Sequence, residues 1–500
     1  MKKKLLFWIG GPDIHFCVAE NMSKKNKFEL YGIVDITNKP KKFFEQQSFV
    51  DFKKTWFYHD KINLKKLSPD LEYLSYFEKK YDIDLWKLAL NERIFYQYNQ
   101  YYNFSDNEIL LILEQECKLF EEILDEIKPD YFISYMTMLH HHHLLYELCK
   151  QKGIQVVMLS LTMIGYRCIL SQIPNSLDSE SLDQSVSLDN LDFIEIRKFL
   201  ESFNFSKQVK EYQKKRDSYG LEFAKAGLEF FLKSDNSNMN THYTYYGRKK
   251  FKVLLNTSKL LLAKKKRWSF IQKNFLTKII PNEKFIYFPL NMEQERNTLI
   301  AAPYYTDPLE MIKNIVRSLP VGYKLYVKEH PTQASREWRK ISLYKEIMKI
   351  PTVRLFHPNA SLKEIYKNCS LVISLGGAPG FEAATYGKPS IIFSDTDYLN
   401  LPSVIRVQNL EELPRIIKKS LTIQVIPSDV ETYVKILEKN SFSFDWLDFQ
   451  LKESEKFFFG GNLADVNISN DQMKEFLKEN SAIIETLSNE HIKKIEHYSS

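Results

Sequence analysis

Leu371-Val372-Ile373-Ser374-Leu375-Gly376-Gly377-Ala378-Pro379-Gly380-Phe381-Glu382-Ala383-Ala384 is the stretch on which the reading of this chain turns. A short apolar run, of strand length, ends in glycines, and a helix opens behind them. Three glycines let the backbone approach a ligand closely, and free N–H groups at the start of a helix favour an anion. Ser374, Gly376, Gly377 and Gly380 are therefore candidates for holding a phosphate. Glu382, in the first helical turn, is placed either to accept from ribose hydroxyls or to complement the helix dipole.

Upstream, the strand Lys324–Glu329 runs into Lys328-Glu329-His330-Pro331. Pro331 disfavours the helical conformation for the residue before it, so His330 stays extended at the strand's carboxyl end. An imidazole there can donate to a phosphate or hold a proton for a leaving group, or it can cap a core edge. Strands at Lys284–Leu290, Val353–Phe356, Ser390–Phe393 and Val404–Val407 alternate with helices at Pro308–Ser318, Leu362–Lys367 and Leu410–Ser420. Such alternation predicts a parallel sheet. The first half carries the same rhythm through strands at Leu5–Ile9, Glu29–Ile36, Tyr131–Met136 and Ile154–Leu159, with a helix at Glu108–Ile127. Gln172–Asp192 is rich in Ser, Leu and Asp without a core-forming period and reads as a surface loop or a frayed insertion.

The expected fold class is α/β, with two facing Rossmann-like domains and an all-parallel core sheet in each. Residues 1–274 form the acceptor-side domain with helical insertions and a basic connecting helix. Residues 281–428 form the nucleotide-binding domain, and 429–500 a helical tail packed across both. Ligands in such sheets sit outside the carboxyl ends of the strands.

Composition fits this reading. The 500 residues are 44% hydrophobic and 27% charged, with 15 Gly and 18 Pro, which excludes collagenous or wholly disordered chains. Seventy Lys and Arg against 63 Asp and Glu give only a mild basic excess, so nucleic acid is not the expected partner. Five scattered cysteines without C-x-x-C spacing argue against a disulfide framework or a zinc site and for a reducing cytoplasm. The apolar run after Met1-Lys2-Lys3-Lys4 stops at Gly10-Gly11-Pro12-Asp13, too early for a signal peptide.

That glycine turn follows the first strand. It makes Gly10, Gly11, Asp13 and His15 acceptor-side candidates, with Asp13 or His15 as the base for an acceptor hydroxyl; surface-turn chemistry explains the same residues without function. His140-His141-His142-His143 also follows a strand. A run on a helix start points its rings in different directions, so no metal centre is expected, and His140 is assigned to the acceptor side. Between Asp235 and Glu283 there is no acidic residue, and the stretch holds eleven Lys or Arg with apolar residues interleaved. Residues 248–278 thus read as a basic, apolar-backed helix for an anionic membrane surface, or equally as an interdomain helix with a solvated basic face; RNA binding is a third reading, which no stacking-aromatic motif supports.

Phe288-Pro289-Leu290 with Glu293-Gln294-Glu295, Lys328-Glu329-His330-Pro331, Gly380-Phe381-Glu382-Ala383 and Gly387-Lys388-Pro389 together resemble capsule polysaccharide biosynthesis proteins. These are GT-B type glycosyltransferases similar to the capsule Kdo transferases. The resemblance covers about Phe285–Leu413 and is looser over the first half. It implies a metal-independent, nucleotide-sugar-dependent transferase without cofactor, moving a sugar from a CMP-linked donor to a glycan or lipid-linked glycan acceptor. It also implies a cytoplasmic site of action, peripheral to the inner membrane. On the same basis Lys328 and Pro331 join the donor set, and Glu295 joins His330 and Asp13 as catalytic. Two positions depart from the family's pattern: Glu293-Gln294 stands where relatives carry Gln-Pro, and Ala378 where they carry a hydroxyl residue. Transfer of a polyol phosphate from a CDP-alcohol is the alternative chemistry, and a non-catalytic capsule-assembly scaffold the alternative class.

Overall fold

The computed structural model describes residues 2–499, except 65–67, 91, 97–98, 179–184, 218–219, 234–241, 294 and 335–338. Two compact units emerge. Met1–Pro174, Phe205–Val253 and Ser441–Ser500 make the first; Asn175–Asn204 and Leu254–Asn440 make the second. A linear partition at 274 and 428 misses this interleaving. The helix Phe193–Glu201 joins the second unit, where Arg197 donates to the Thr385 carbonyl, and the segment after Asn440 returns to the first.

The first unit is built on β1 (Lys3–Ile9), β2 (Phe28–Val34), β3 (Phe52–Phe57), β4 (Tyr131–Tyr135), β5 (Gln155–Leu161), β6 (Arg167–Ser171) and β13 (Phe442–Ser443). Their order is β13-β6-β5-β4-β1-β2-β3. The five from β5 to β3 run parallel, but β6 turns back antiparallel to β5, and β13 pairs antiparallel with β6. The all-parallel expectation thus fails at this edge. The link from Leu161 to Arg167 is too short for the crossover that a parallel neighbour requires, so the chain makes a hairpin. Residues alternate across β1 as the pleat demands: Leu5, Phe7 and Ile9 face a core shared with the C-terminal helices, while Leu6 and Trp8 face the helix Asp106–Ile127.

The second unit holds β7 (Lys284–Pro289), β8 (Tyr323–Lys328), β9 (Val353–Phe356), β10 (Leu371–Ser374), β11 (Ser390–Ile392) and β12 (Val404–Arg406). All are parallel, in the order β12-β11-β10-β7-β8-β9. Counted within the unit this is 3-2-1-4-5-6, the doubly wound order of Rossmann sheets, whose direction of winding reverses between the first and fourth strands, here β7 and β10. The first sheet has the same reversal between β1 and β4. In each unit the crevice that such a reversal opens lies beyond the carboxyl ends of those two strands, so the chemistry is sought there.

Candidate functional site

In the second unit the loops beyond β7 and β10 meet at the reversal point. Gly377, at φ +76, sits in the left-handed region, and a Cβ built on it would stand 3.4 Å from the Asn297 amide nitrogen. Asn297 belongs to the short helix Arg296–Leu299 that follows β7 and was not singled out from the sequence. The other glycines answer to the protein itself. A Cβ at Gly376 would collide with the Ser394 hydroxyl, and one at Gly380 would lie 2.7 Å from the Tyr398 hydroxyl. The Tyr398 hydroxyl in turn donates to the Gly377 carbonyl at 2.5 Å. Ser374, fully buried, donates to the Gly376 carbonyl at 2.7 Å and accepts from the Gly376 amide. Ser374, Gly376 and Gly380 therefore shape the turn, and Gly377-Ala378-Pro379 is its half-exposed tip.

His330 lies at the carboxyl end of β8, the strand next to β7, and is half-buried. Its backbone amide donates to Glu329 at 2.7 Å. Glu329 itself is fully buried between Arg339, which donates to it, and the Tyr344 hydroxyl at 2.6 Å. Arg339 also pairs with Glu293 at 2.9 Å and donates to the Asn291 carbonyl, so it ties the loop after β7 to the end of β8. Lys328 is buried and donates to the Pro358 carbonyl at 2.7 Å, a tie between the ends of β8 and β9; Pro331 is exposed. The Glu382 carboxylate accepts from the Tyr366 hydroxyl at 2.6 Å. Glu295 is half-buried at the start of the short helix Arg296–Leu299, and its carbonyl accepts from the Thr298 hydroxyl at 2.8 Å. Gln294 lies outside the described residues.

In the first unit Asp13 caps the helix Ile14–Lys25. One of its oxygens accepts from the amides of His15 and Phe16 at 3.0 Å each, and the other from the Gly10 amide at 2.9 Å. Burial raises this carboxyl to about 7 despite those donors. Glu453, on the helix Trp446–Phe457, stands next to it; burial and then the Asp13 charge raise it to about 8. Gly10 lies against the Tyr135 hydroxyl, and a Cβ on Gly11 would be 3.5 Å from the Glu453 carboxylate. Two carboxyls titrating near neutrality at the end of β1 have the protonation behaviour of a base–acid pair. Glu453 could not be read from the sequence, because nothing local joins it to residue 13.

Two of the acceptor-side candidates lie in the interior. His15 is fully buried, its ring stacked on Tyr135 at 5.5 Å and edge-on to His491, and burial holds it well below the usual histidine range. It belongs to the core. His140 is buried between two carboxylates, with Nδ1 2.9 Å from Glu92 and Nε2 3.0 Å from Glu116. Burial opposes its charge, but Glu116 and Glu92 outweigh it and raise His140 to about 10. Neither ring is exposed to an acceptor.

No family model and no curated protein matches this chain. Among solved structures, the UDP-GlcNAc 2-epimerase of Methanocaldococcus jannaschii is similar at 15% identity over 88% of this chain and 100% of its own, with a TM-score of 0.24. The KpsC beta Kdo 2,7 transferase of Thermosulfurimonas dismutans is similar at 13% identity over 66% of this chain and 81% of its own, with a TM-score of 0.30. The Neisseria meningitidis UDP-GlcNAc 2-epimerase, bound to UDP-GlcNAc, aligns at 12% identity over 87% of this chain and 100% of its own, with a TM-score of 0.23. Superposition this loose leaves the fold to be argued from the strand order and the chemistry from the residues themselves.

Proposed function

We propose that the protein is a glycosyltransferase that moves a sugar from a nucleotide donor, CMP-linked by the motif resemblance, to a capsule or surface polysaccharide acceptor. The observation that carries this reading is the 3-2-1-4-5-6 order of the second sheet, with Gly377 and Asn297 at its reversal point and His330 ending the neighbouring strand. In the proposed reaction the backbone at Gly377–Ala378 and the His330 imidazole stabilise the charge that develops on the departing phosphate. Glu329 is a positioning residue, since it holds the His330 amide. Asp13 with Glu453 has the protonation chemistry to take the proton of an acceptor hydroxyl. No step calls on a metal.

Helix Lys250–Asn274 extends the proposal to location. Its exposed side chains include Phe251, Leu254, Leu255, Leu261 and Leu262, and Lys252, Lys259, Lys265 and Lys266 are exposed beside them. At 100° per residue the five apolar positions fall on one arc with Lys265 within it and Lys252, Lys259 and Lys266 beside it, so apolar and basic side chains are exposed together on this helix. Among the described residues no helix is long and apolar enough to cross a membrane. A lipid-linked acceptor at the cytoplasmic leaflet would be met by such a face.

Calorimetric titration with CMP, UDP and CDP-glycerol tests the reading, followed by mass detection of product with CMP-sugars. CMP binding with turnover supports it. Preference for CDP-glycerol moves the protein to polyol-phosphate transfer, and absence of any nucleotide binding makes it a scaffold.

A further inference from the structure

The four-histidine run has a use that its sequence spacing hides. Glu116, His140 and His141 each offer one ligand atom within 4.8 Å of the other two. All three are buried, at 0%, 2% and 4% exposure. Glu116 Oε2 and His141 Nδ1 are buried without a hydrogen-bond partner. An unsatisfied polar atom in an interior costs about 1–3 kcal/mol, more where it is charged, and one on each of two members of the cluster calls for a group that satisfies them.

The remaining polar atoms of the three side chains are held from behind. His140 Nδ1 lies 2.9 Å from Glu92 Oε2, and His141 Nε2 lies 3.1 Å from Asp35 Oδ2. Asp35 is braced in turn by His59 Nε2 at 2.9 Å. The Tyr58 hydroxyl donates to Glu116 Oε1, and its ring stacks on His141 at 4.5 Å. A carboxylate behind each imidazole fixes the tautomer and points the other nitrogen forward, which is how ligating histidines are oriented.

We propose that Glu116, His140 and His141, with a water in the fourth position, form a buried binding site for a divalent first-row transition ion, with zinc the best match to two imidazoles and one carboxylate. Metal–ligand bonds of about 2.0–2.2 Å put tetrahedral ligand atoms roughly 3.3 Å apart; on binding, His140 Nε2 releases its proton to solvent, opens slightly from its 3.0 Å contact with Glu116 Oε1 and takes the ion in place of that proton, while His141 closes in. The ion would pin the start of the helix His140–Gln151 to the helix Asp106–Ile127, a structural role apart from the proposed sugar transfer.

The test uses the untagged full-length chain, stripped with chelator and titrated with Co²⁺ and Zn²⁺. One equivalent of Co²⁺ is expected to give the visible d–d bands of a four-coordinate ion, and one of Zn²⁺ to bleach them and raise the melting temperature. Glu116→Gln and His141→Ala should lose the bands, and Asp35→Asn should weaken binding about 10–100-fold. His143→Ala should bind as wild type. A wild-type chain with neither bands nor a Zn²⁺-induced shift overturns the proposal, as does a folded Glu116→Gln that binds with wild-type affinity. If the ligand variants do not fold, zinc-edge X-ray absorption of the loaded wild type decides. Two imidazoles with oxygen uphold the site, and any other donor set overturns it.

Discussion

His330 owes its place to a carboxylate that never reaches solvent. Glu329 fills its oxygens with Arg339, the Tyr344 hydroxyl and the His330 amide. Removing one partner of a buried ion pair costs about 3–5 kcal/mol, so Glu329→Gln should lower the melting temperature sharply. His330→Ala leaves that network intact; it should keep the wild-type melting temperature and lower kcat about 10²–10⁴-fold in a product assay. Wild-type turnover by this variant would make the imidazole structural. Asp13 and Glu453 bear on pH. Their carboxyls are raised in the folded state, to about 7 and about 8, so the native chain binds more protons than the unfolded chain at intermediate pH. The stability this contributes is full below pH 4 and is lost as pH rises through 7 and 8. Glu453→Gln should therefore flatten the fall in melting temperature between pH 5 and 8.5, a comparison that thermal melts across that range will make. What was legible at this scale was local. Pro331 fixes His330, and the glycines follow their strand within a few residues. Glu453, Asn297 and Glu116 were not legible, because each reaches its partners through the fold: Glu116 meets His140 across 24 residues and Gly11 meets Glu453 from the far end of the chain.

Strands and helices were the most readable level, for the reason that burial on both faces leaves continuous apolar runs. β1, β4, β7 and β10 all announce themselves that way. β13 could not: two residues, Phe442 and Ser443, carry no periodicity, and only their pairing with β6 makes them a strand. β3 was missed because two adjacent exposed lysines, Lys53-Lys54, break both an apolar run and a period-two pattern, as befits a sheet edge. Helix Lys250–Asn274 presents the converse case, a basic segment whose apolar residues were expected to serve either the interior or a surface. Phe251 at 78% and Leu262 at 65% exposure put these two on the outside, while Ile271 is buried against the second core. Each lysine near an anionic surface contributes about 1 kcal/mol, screened over about 8 Å at physiological salt. The full chain should cosediment with anionic vesicles at low salt and be released at high salt. Changing Lys264, Lys265, Lys266 and Arg267 to Gln should remove most of that binding, and Phe251→Ser with Leu262→Ser should weaken what remains. Equal recovery on neutral vesicles would return the helix to a solvated, purely structural role.

At the scale of the whole molecule, the chain's last sixty residues belong to the unit with which it begins. Met473, Phe476, Ile484, Leu487, Ile492 and Ile495 are buried in the same core as Leu5, Phe7 and Ile9, and the helix Ser481–His497 lies along the helix Ile14–Lys25. Burial of a large apolar side chain contributes about 1.5–3 kcal/mol, so six of them are comparable to the net stability of an ordinary domain. β1 cannot keep its helix-covered face dry without them. Glu453 leaves with the same segment, which removes the partner of Asp13. The second unit has its own pair of cores, and the helix Pro427–Asn440 closes it before the chain departs, with Glu431 accepting from the amides of Asp189 and Leu191. A chain ending at Asn440 should therefore lose hydrogen-exchange protection throughout β1, β4 and β5 while β7, β8 and β10 stay protected, and nucleotide binding should survive in the truncated protein. Uniform loss of protection in both sheets would mean that the two units fold only together. Retention of protection in β1 would mean that the terminal helices cover the first core without holding it.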